Sequence, residues 1–342
     1  MALPDAAIIG IGEQMQADLT RRIVQVIGAT LCGLLFSAIA AAQTYPARAI
    51  TFVYPYPPGS ASDTAYRTII LEVSKRLGQP VVYENRPGAG GRVGLDLILK
   101  AAADGYTIGM LNNVIGVSQP LIDPKFTIEP VKDYTPVVLA VESYLIMVAR
   151  AGEPYRDFKG LLEYARSNPG KLNMSSPGPG TGAHLVLALM TSRSGANITH
   201  IPYKGTAPAT QAILSGEVNL TLTDTTVKPF VDSGKLLALA TTGAQRWASF
   251  PNVPTFDESG LKGVHYSSWS GIIGPPGMPR PLVDRLNRAF VEAMSAAEVR
   301  GKLEGAGLAA RGGAPEDWTA LIKAELTLWR PVISAANIKL DQ

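Results

Sequence analysis

Two rhythms of apolar and polar positions replace each other along this chain. Ala49–Tyr56 is a nearly continuous apolar run, the pattern of a strand buried on both faces, and Pro57-Pro58-Gly59 ends it. After it Tyr66, Ile69, Ile70, Val73 and Leu77 recur at helical spacing, which predicts a helix over Asp63–Leu77 with Ser62 or Asp63 as cap and Gly78 as stop. The reading continues with a short strand over Val81–Glu84, a helix over Arg92–Ala103 and a strand over Tyr106–Leu111. Pro136–Arg150 is a long β-prone run. Next come a predicted helix over Asp157–Arg166, a strand over Leu172–Ser176, a helix ending near Ser192 and a strand over Ile198–Tyr203. A helix capped by Thr206 and stopped by Gly216 follows, then strands over Val218–Thr223, Leu236–Thr241 and Tyr266–Gly274. Two amphipathic helices, Pro281–Met294 and Pro315–Trp329, finish the pattern. Such alternation predicts an α/β fold of mainly parallel sheets flanked by helices, with ligand loops at the strand C-termini. There is no tandem repeat and no low-complexity linker, so two domains are expected to share crossing strands, at Pro136–Arg150 and Tyr266–Gly274.

Composition changes the picture at the N-terminus. Arg21 and Arg22 precede an apolar run, Ile23–Ala42, interrupted by Gln25 and ending in Ala38-Ile39-Ala40 and Ala40-Ala41-Ala42. That layout predicts a secretory signal peptide over residues 1–42, cleaved near 40–43, with an uncleaved membrane anchor as the alternative. Thr20-Arg21-Arg22 is a weak pointer to twin-arginine export. The single cysteine, Cys32, lies inside the run, so cleavage leaves no disulfide, thiol chemistry or cysteine metal site. It also leaves 29 basic against 25 acidic residues, and the expected product is a soluble exported protein. With 342 residues, 46% hydrophobic and 17% charged, the chain is too apolar for disorder and long enough for two domains. A net charge of +3 without a basic run gives no reason to expect nucleic acid.

Candidate chemistry sits in loops. Tyr56–Asp63, Arg86–Gly91 and Ser175–Thr181 each follow a strand, are rich in Gly, Pro or Ser, and open a helix. A helix start carries unpaired N–H groups and the positive dipole end, so it attracts anions; each loop is equally an ordinary strand-to-helix turn. Gly178-x-Gly180-x-x-Ala183 matches a dinucleotide fingerprint, but no acid for a ribose ends the next strand at Pro202-Tyr203-Lys204, and no cofactor is expected. His184 lines a cleft or packs a helix; Asp224 accepts from a ligand or caps a helix; Asn112-Asn113 is a turn or a pocket lip; Trp269 reads as core rather than ligand platform. The three histidines, His184, His200 and His265, form no metal-binding set, and there is no Gly-x-Ser-x-Gly elbow, so neither a catalytic residue nor a metal is assigned.

A set of motifs in order gives these parts a context. They are Tyr45-Pro46-x-Arg48-x-Ile50, Pro55–Gly59 with Asp63, Glu84–Gly91, Asp104–Thr107, Pro169–Asn173, Pro202–Gly205, Gly234–Leu236 and Pro251–Thr255. Together they resemble the extracytoplasmic solute receptors of tripartite tricarboxylate transporters, also called Bug receptors. The resemblance implies a two-domain, type 2-like periplasmic binding protein, located in the periplasm after export, with the ligand cleft between domains. Domain 1 is expected over 43–145 plus 266–342 and domain 2 over 146–265. It implies a monomer that closes on a small organic acid, held largely by backbone amides and water, and delivers it to membrane permease subunits. An exported enzyme acting on a small carboxylic acid, or a receptor feeding a membrane sensor, are the rival readings. The implied ligand loops map onto Pro58–Asp63 and Ser176–Thr181, and Asp224 matches an acid bordering the cleft. The expected ligand-binding set is therefore Tyr56, Pro58, Gly59, Ser60, Ser62, Asp63, Asn112, Ser176, Pro177, Gly180, Thr181, His184 and Asp224. Two departures bear on specificity: Gly59-Ser60 stands where the family usually has Gly-Gly, and Pro177-Gly178-Pro179-Gly180 where it commonly has Ala-Gly-Asn-Gly. Prolines remove donors, which argues against a strict dicarboxylate ligand.

Overall fold

The computed structural model describes residues 45–339. The expected signal peptide, its expected cleavage site and Cys32 lie outside the described residues. Two compact units divide the chain, residues 1–47 and 48–342. Of the first only Tyr45–Ala47 are described; all that follows concerns the second.

Strand β1 (Ile50–Tyr54) is buried on both faces. Phe52 and Tyr54, two residues apart and so on one face, stack with Tyr66 and Tyr83 at centroid distances of 5.4–5.8 Å. Tyr66 comes from helix α1 (Ala61–Leu77), which buries Tyr66, Ile69, Ile70, Val73 and Leu77 on the stripe its spacing predicts. Its cap is Ser60, whose Oγ accepts from Asp63 N, rather than Ser62 or Asp63, because the chain turns helical at Ala61, two residues before the expected start and a full turn before the apolar stripe begins at Tyr66. Gly78 ends it in the left-handed region at φ 69°.

The first sheet also holds β2 (Val81–Asn85), β3 (Thr107–Asn112), β4 (Thr135–Ser143), β10 (Ser268–Gly274) and β11 (Ala309–Ala310), in the order β11-β4-β10-β3-β1-β2. Helix α2 (Arg92–Leu99) connects β2 to β3, and a π-turn at Val114–Ser118 leads into α3 (Gln119–Ile122). The second sheet, ordered β7-β6-β8-β5-β9, contains β5 (Ile146–Arg150), β6 (Leu172–Ser176), β7 (Ile198–Pro202), β8 (Leu220–Thr223) and β9 (Leu236–Thr241). Between these strands lie α4 (Phe158–Ser167), α5 (Gly182–Ser194), α6 (Thr206–Ser215) and α7 (Lys228–Asp232); α8 (Arg280–Ser295), α9 (Ala297–Gly305) and α10 (Pro315–Ala335) close the chain.

Both sheets are mixed rather than mainly parallel. β1 pairs in parallel with β2 and β3, and β6 with β7 and β8, as helical crossovers require. The antiparallel pairs are β10 against β3 and β4 and β5 against β8 and β9, strands next to the crossings, and the short edge strand β11 against β4. The run Pro136–Arg150 splits at Tyr144-Leu145 into β4 in one sheet and β5 in the other, and the chain returns between β9 and β10. Thr242, fully buried, fastens the two passages together. Its Oγ accepts from Leu145 N at 3.0 Å and donates to Tyr266 O at 2.7 Å.

One apolar cluster runs through both sheets, from Val53 and Leu95 to Leu220 and Trp329. Trp269 is 1% exposed and meets Trp318 edge-on at 5.7 Å, the core position expected of it. Helix α10 packs on β4 and α5, elements tied to different sheets. Helix α9 was not expected from the pattern, since Ala297–Gly305 buries only Val299 and Leu303.

Candidate functional site

A cavity of about 670 Å³ opens where the C-terminal ends of β1, β6 and β8 face each other. Tyr54, Tyr56, Pro57, Pro58, Ser60, Ala61 and Ser62 form one wall. Opposite stand Pro177 and Thr181–Ala183, with Thr206 and Leu222–Thr226 beside them. The floor is Tyr266 and Ser268–Ser270, and Ala306–Leu308 edge the rim.

The first wall is built from a reciprocal cap. Asp63, 3% exposed, turns inward and accepts from Gly59 N (3.1 Å), Arg67 Nε (3.1 Å), Tyr83 OH (2.9 Å) and Asn85 Nδ2 (3.0 Å). Asn85 also donates to Tyr56 O at 3.1 Å, so the acid holds the whole loop. Burial raises the pKa of Asp63, but the bonds from Asn85, Arg67, Gly59 and Tyr83 outweigh it and hold the group at about 2. Asp63 and Gly59 therefore lie behind the cavity lining. Gly59 sits at φ 102°, a region L side chains rarely adopt, which suits the turn to glycine. A folded-state pKa below the unfolded value stabilises the fold above about pH 4 and loses that contribution as pH falls toward 2. Asp63→Asn is expected to cost about 1–2 kcal/mol at pH 7, because an amide cannot accept from donors on both sides. Denaturant unfolding at several pH values checks it: the gap to wild type should shrink between pH 4 and 2, and a pH-independent gap would contradict this role.

Tyr56 and Asn112 pair across the floor, the amide Nδ2 lying 2.9 Å from the phenol oxygen, and Asn112 Oδ1 accepts from Ile115 N at 3.1 Å. Burial pushes the Tyr56 phenol well above its ordinary range, so it stays a neutral hydrogen-bonding group. Neighbouring Asn113 is structural: its Nδ2 donates to Tyr266 OH at 2.7 Å and Ser267 O at 3.1 Å.

In the opposite wall the loop before α5 consumes its own donors. Pro177 and Pro179 have no N–H; Gly178 N donates to Ser176 Oγ (3.1 Å) and Gly180 N to His184 Nδ1 (3.2 Å). Ser176 Oγ lies 2.6 Å from His200 Nε2, and His200 stacks on His184 at 3.8 Å. The pair has the reach of a nucleophile and base, but Ser176 is fully buried and outside the cavity lining. Burial, then His200, lowers the pKa of His184 to about 4, keeping its Nδ1 an acceptor for the loop. Ser176, Gly180 and His184 thus support the wall from behind. The donors left on this side belong to the first turn of α5, where Gly182 and Ala183 line the cavity, matched by Ala61 and Ser62 in the first turn of α1.

Of the expected set, Tyr56, Pro58, Ser60, Ser62, Asn112, Pro177, Thr181 and Asp224 line the cavity; Gly59, Asp63, Ser176, Gly180 and His184 do not. Sequence reasoning missed Tyr54, Tyr266, Ser268, Ser270, Thr206, Thr223, Thr225 and Thr226. The hydroxyls next to Asp224 in Thr221–Thr226 were the available signal; nothing local marked the floor. Among the described residues no group of three or more His, Cys, Asp or Glu is placed to hold a metal, and no helix is long and apolar enough to cross a membrane.

Comparison with known proteins decides the family. The family model described as "Tripartite tricarboxylate transporter family receptor" matches residues 65–338. The chain belongs to this family. As a member it is a solute-binding receptor. It is 37% identical over 302 residues to the "UPF0065 protein in tcbD-tcbE intergenic region" of Pseudomonas sp. strain P51, covering 88% of this chain and 90% of that one. The receptor's fold matches that of Rpa4515 from R. palustris with adipate, at 30% identity and TM-score 0.74 over 87% of this chain and 100% of that one. It also matches MatC (Rpa3494) from Rhodopseudomonas palustris with bound malate, at 32% identity and TM-score 0.69 over 84% and 100%.

Proposed function

We propose that this receptor captures a small organic acid in the cavity, in the periplasm, and passes it to the membrane permease of a tripartite transporter. One observation carries the reading: the first turns of α1 and α5 bring unpaired helix-start amides to opposite walls of one cavity. A carboxylate is the ligand group that such donors hold best, through charge-assisted hydrogen bonds reinforced by both dipoles. Adipate and malate in the two related structures support the same chemistry. The permease role is supported by family membership, and export by the Arg21–Ala42 leader pattern.

In this reading, residues 43–145 plus 266–342 form one domain and 146–265 the other, and the passages fastened by Thr242 form the hinge. A ligand touching both walls favours closure because only the closed arrangement offers both sets of contacts. At the rim, Gly307 lies against Thr225 with no side chain between, a contact that opening would break.

Thermal unfolding of the purified receptor against adipate, malate, succinate, benzoate and amino acids tests the reading. At 100 times its Kd a one-site ligand adds about 2.7 kcal/mol of stability. A raised Tm with at least one carboxylic acid is expected. No shift with any of them, after unfolding and refolding to strip a trapped solute, would overturn the proposal.

A further inference from the structure

A buried acid lies beneath the cavity floor, outside the lining. Glu325, on α10, is 9% exposed, and its Oε2 has no partner among the described residues. The indole nitrogens of Trp269 and Trp318, two rings that meet edge-on, are buried and unpartnered as well. Buried polar groups are paired in the great majority, and buried acids with shifted titration gather at functional sites.

Two neighbours of this acid belong to the cavity itself. Trp269 lines the floor, and its indole N–H, short of hydrogen-bonding geometry, favours the charged form of the Glu325 carboxyl. Tyr266 lines the floor too, and burial, then the charge of Glu325, keeps its phenol neutral. The Tyr266 ring lies against Gly182, in the α5 turn whose amides are offered to the ligand. One aromatic side chain therefore stands between a carboxylate held at that turn and Glu325.

No cation offsets the two charges. Among the described residues no Lys or Arg lines the cavity, and its one charged side chain is Asp224. Of the elements around Glu325, β4 contributes Glu142, which Arg311 Nε already holds at 3.0 Å. β10, the π-turn and α3 carry no titratable side chain. α5 carries His184, which faces His200 of β7, and the exposed Arg193. Burial pushes the pKa of Glu325 up to about 7, so the group is poised to titrate at neutral pH. A carboxylate entering the cavity adds negative charge across a low-dielectric floor and favours the protonated acid. The coupling is reciprocal: a proton on Glu325 tightens the hold on the anion.

Resting on the carboxylate reading above, we infer that the receptor binds its acid together with a proton, taken up by Glu325 as the cavity fills. The proton cancels the negative charge beneath an anion site that has no cation of its own. The receptor then holds its ligand more tightly on the acid side of neutrality.

Titration calorimetry with adipate, malate, succinate, benzoate and glutamate, on wild type and Glu325→Gln, tests this at pH 6.5, 7.5 and 8.5. Each titration is run in phosphate and in Tris, whose ionisation heats differ, so that proton uptake is counted directly. For an acid that binds, wild type should take up about half a proton per ligand near pH 7.5 and lose about fivefold in affinity from pH 6.5 to 8.5, the linkage that follows when ligand raises the pKa by about one unit. Glu325→Gln should show neither effect. The infrared difference spectrum of wild type with and without isotopically labelled ligand at pH 7.5 should gain a protonated-carboxyl band from the protein, a readout that needs no variant. Affinity independent of pH, with heats independent of buffer, would overturn the inference and leave the carboxylate reading standing. Proton uptake retained in a folded Glu325→Gln protein would overturn the role of Glu325. Binding of none of the five would remove both the carboxylate reading and the inference built on it.

Discussion

Gly182→Ala is expected to lower ligand affinity about 100-fold and to destabilise the receptor by about 3 kcal/mol, through overpacking and an orphaned amide. Gly182 is the first residue of α5 and lines the cavity. A Cβ there would fall well inside contact distance of Tyr266 Cζ, Oη and Cε1. The ring cannot swing aside freely, because Tyr266 is 6% exposed and its hydroxyl accepts from Asn113 Nδ2 at 2.7 Å. Either the ring moves, stranding buried Asn113, or the first turn of α5 moves away from the floor. Both outcomes separate the amides of α5 from those of α1, and a carboxylate spanning them loses charge-assisted bonds worth about 1.5–3 kcal/mol each. Titration calorimetry with whichever acid raises the Tm measures the loss, and denaturant unfolding the stability. Wild-type affinity in a folded Gly182→Ala protein would show that ligand does not use this turn.

That close approach explains why the floor was not legible in the sequence while the elements were. Apolar spacing located α1, β6 and β9 within two residues, because burial is dictated by local period. The loops were legible for the same reason: glycines, prolines and caps mark strand-to-helix turns. What a loop residue faces is a tertiary matter. Asp63 was expected at the ligand and lies behind the loop, because Tyr83 and Asn85 come from β2, which pairs beside β1. His184 was expected at the cleft and instead accepts from the backbone of its own loop, over a ring supplied by β7. Neither partner is visible from the neighbouring sequence. The departure Pro177-Gly178-Pro179-Gly180 was visible, and its consequence is sharper in three dimensions: the glycine amides between the prolines are engaged too.

Glu325→Gln is expected to leave stability nearly unchanged near pH 4 and to raise it by about 3 kcal/mol at pH 8. Glu325 lies on α10 and is 9% exposed. Burial pushes its pKa up to about 7; Glu142 adds repulsion, while the indole N–H of Trp269 favours the charged form. That indole falls short of hydrogen-bonding geometry, and Glu325 Oε2 has no partner among the described residues. Glu142 gives no relief, since its own carboxylate is held by Arg311 at 3.0 Å, and the nearby Tyr266 phenol is kept neutral by burial. An acid whose folded-state pKa lies above its unfolded value binds more protons when folded, so stability is full below about pH 4.5 and falls as pH rises toward 7. At about 1.4 kcal/mol per pKa unit, a rise from 4.5 to about 7 sets the 3 kcal/mol scale. Glutamine keeps the shape without the charge, so its stability should be flat over that window. Denaturant unfolding at pH 4, 5, 6, 7 and 8 reads both curves directly. Parallel curves for wild type and Glu325→Gln would mean that the buried carboxyl stays charged throughout, with a partner that the fold does not display. A divergence that grows between about pH 4.5 and 7 would place a neutral acid beneath Trp269, the residue that forms part of the cavity floor.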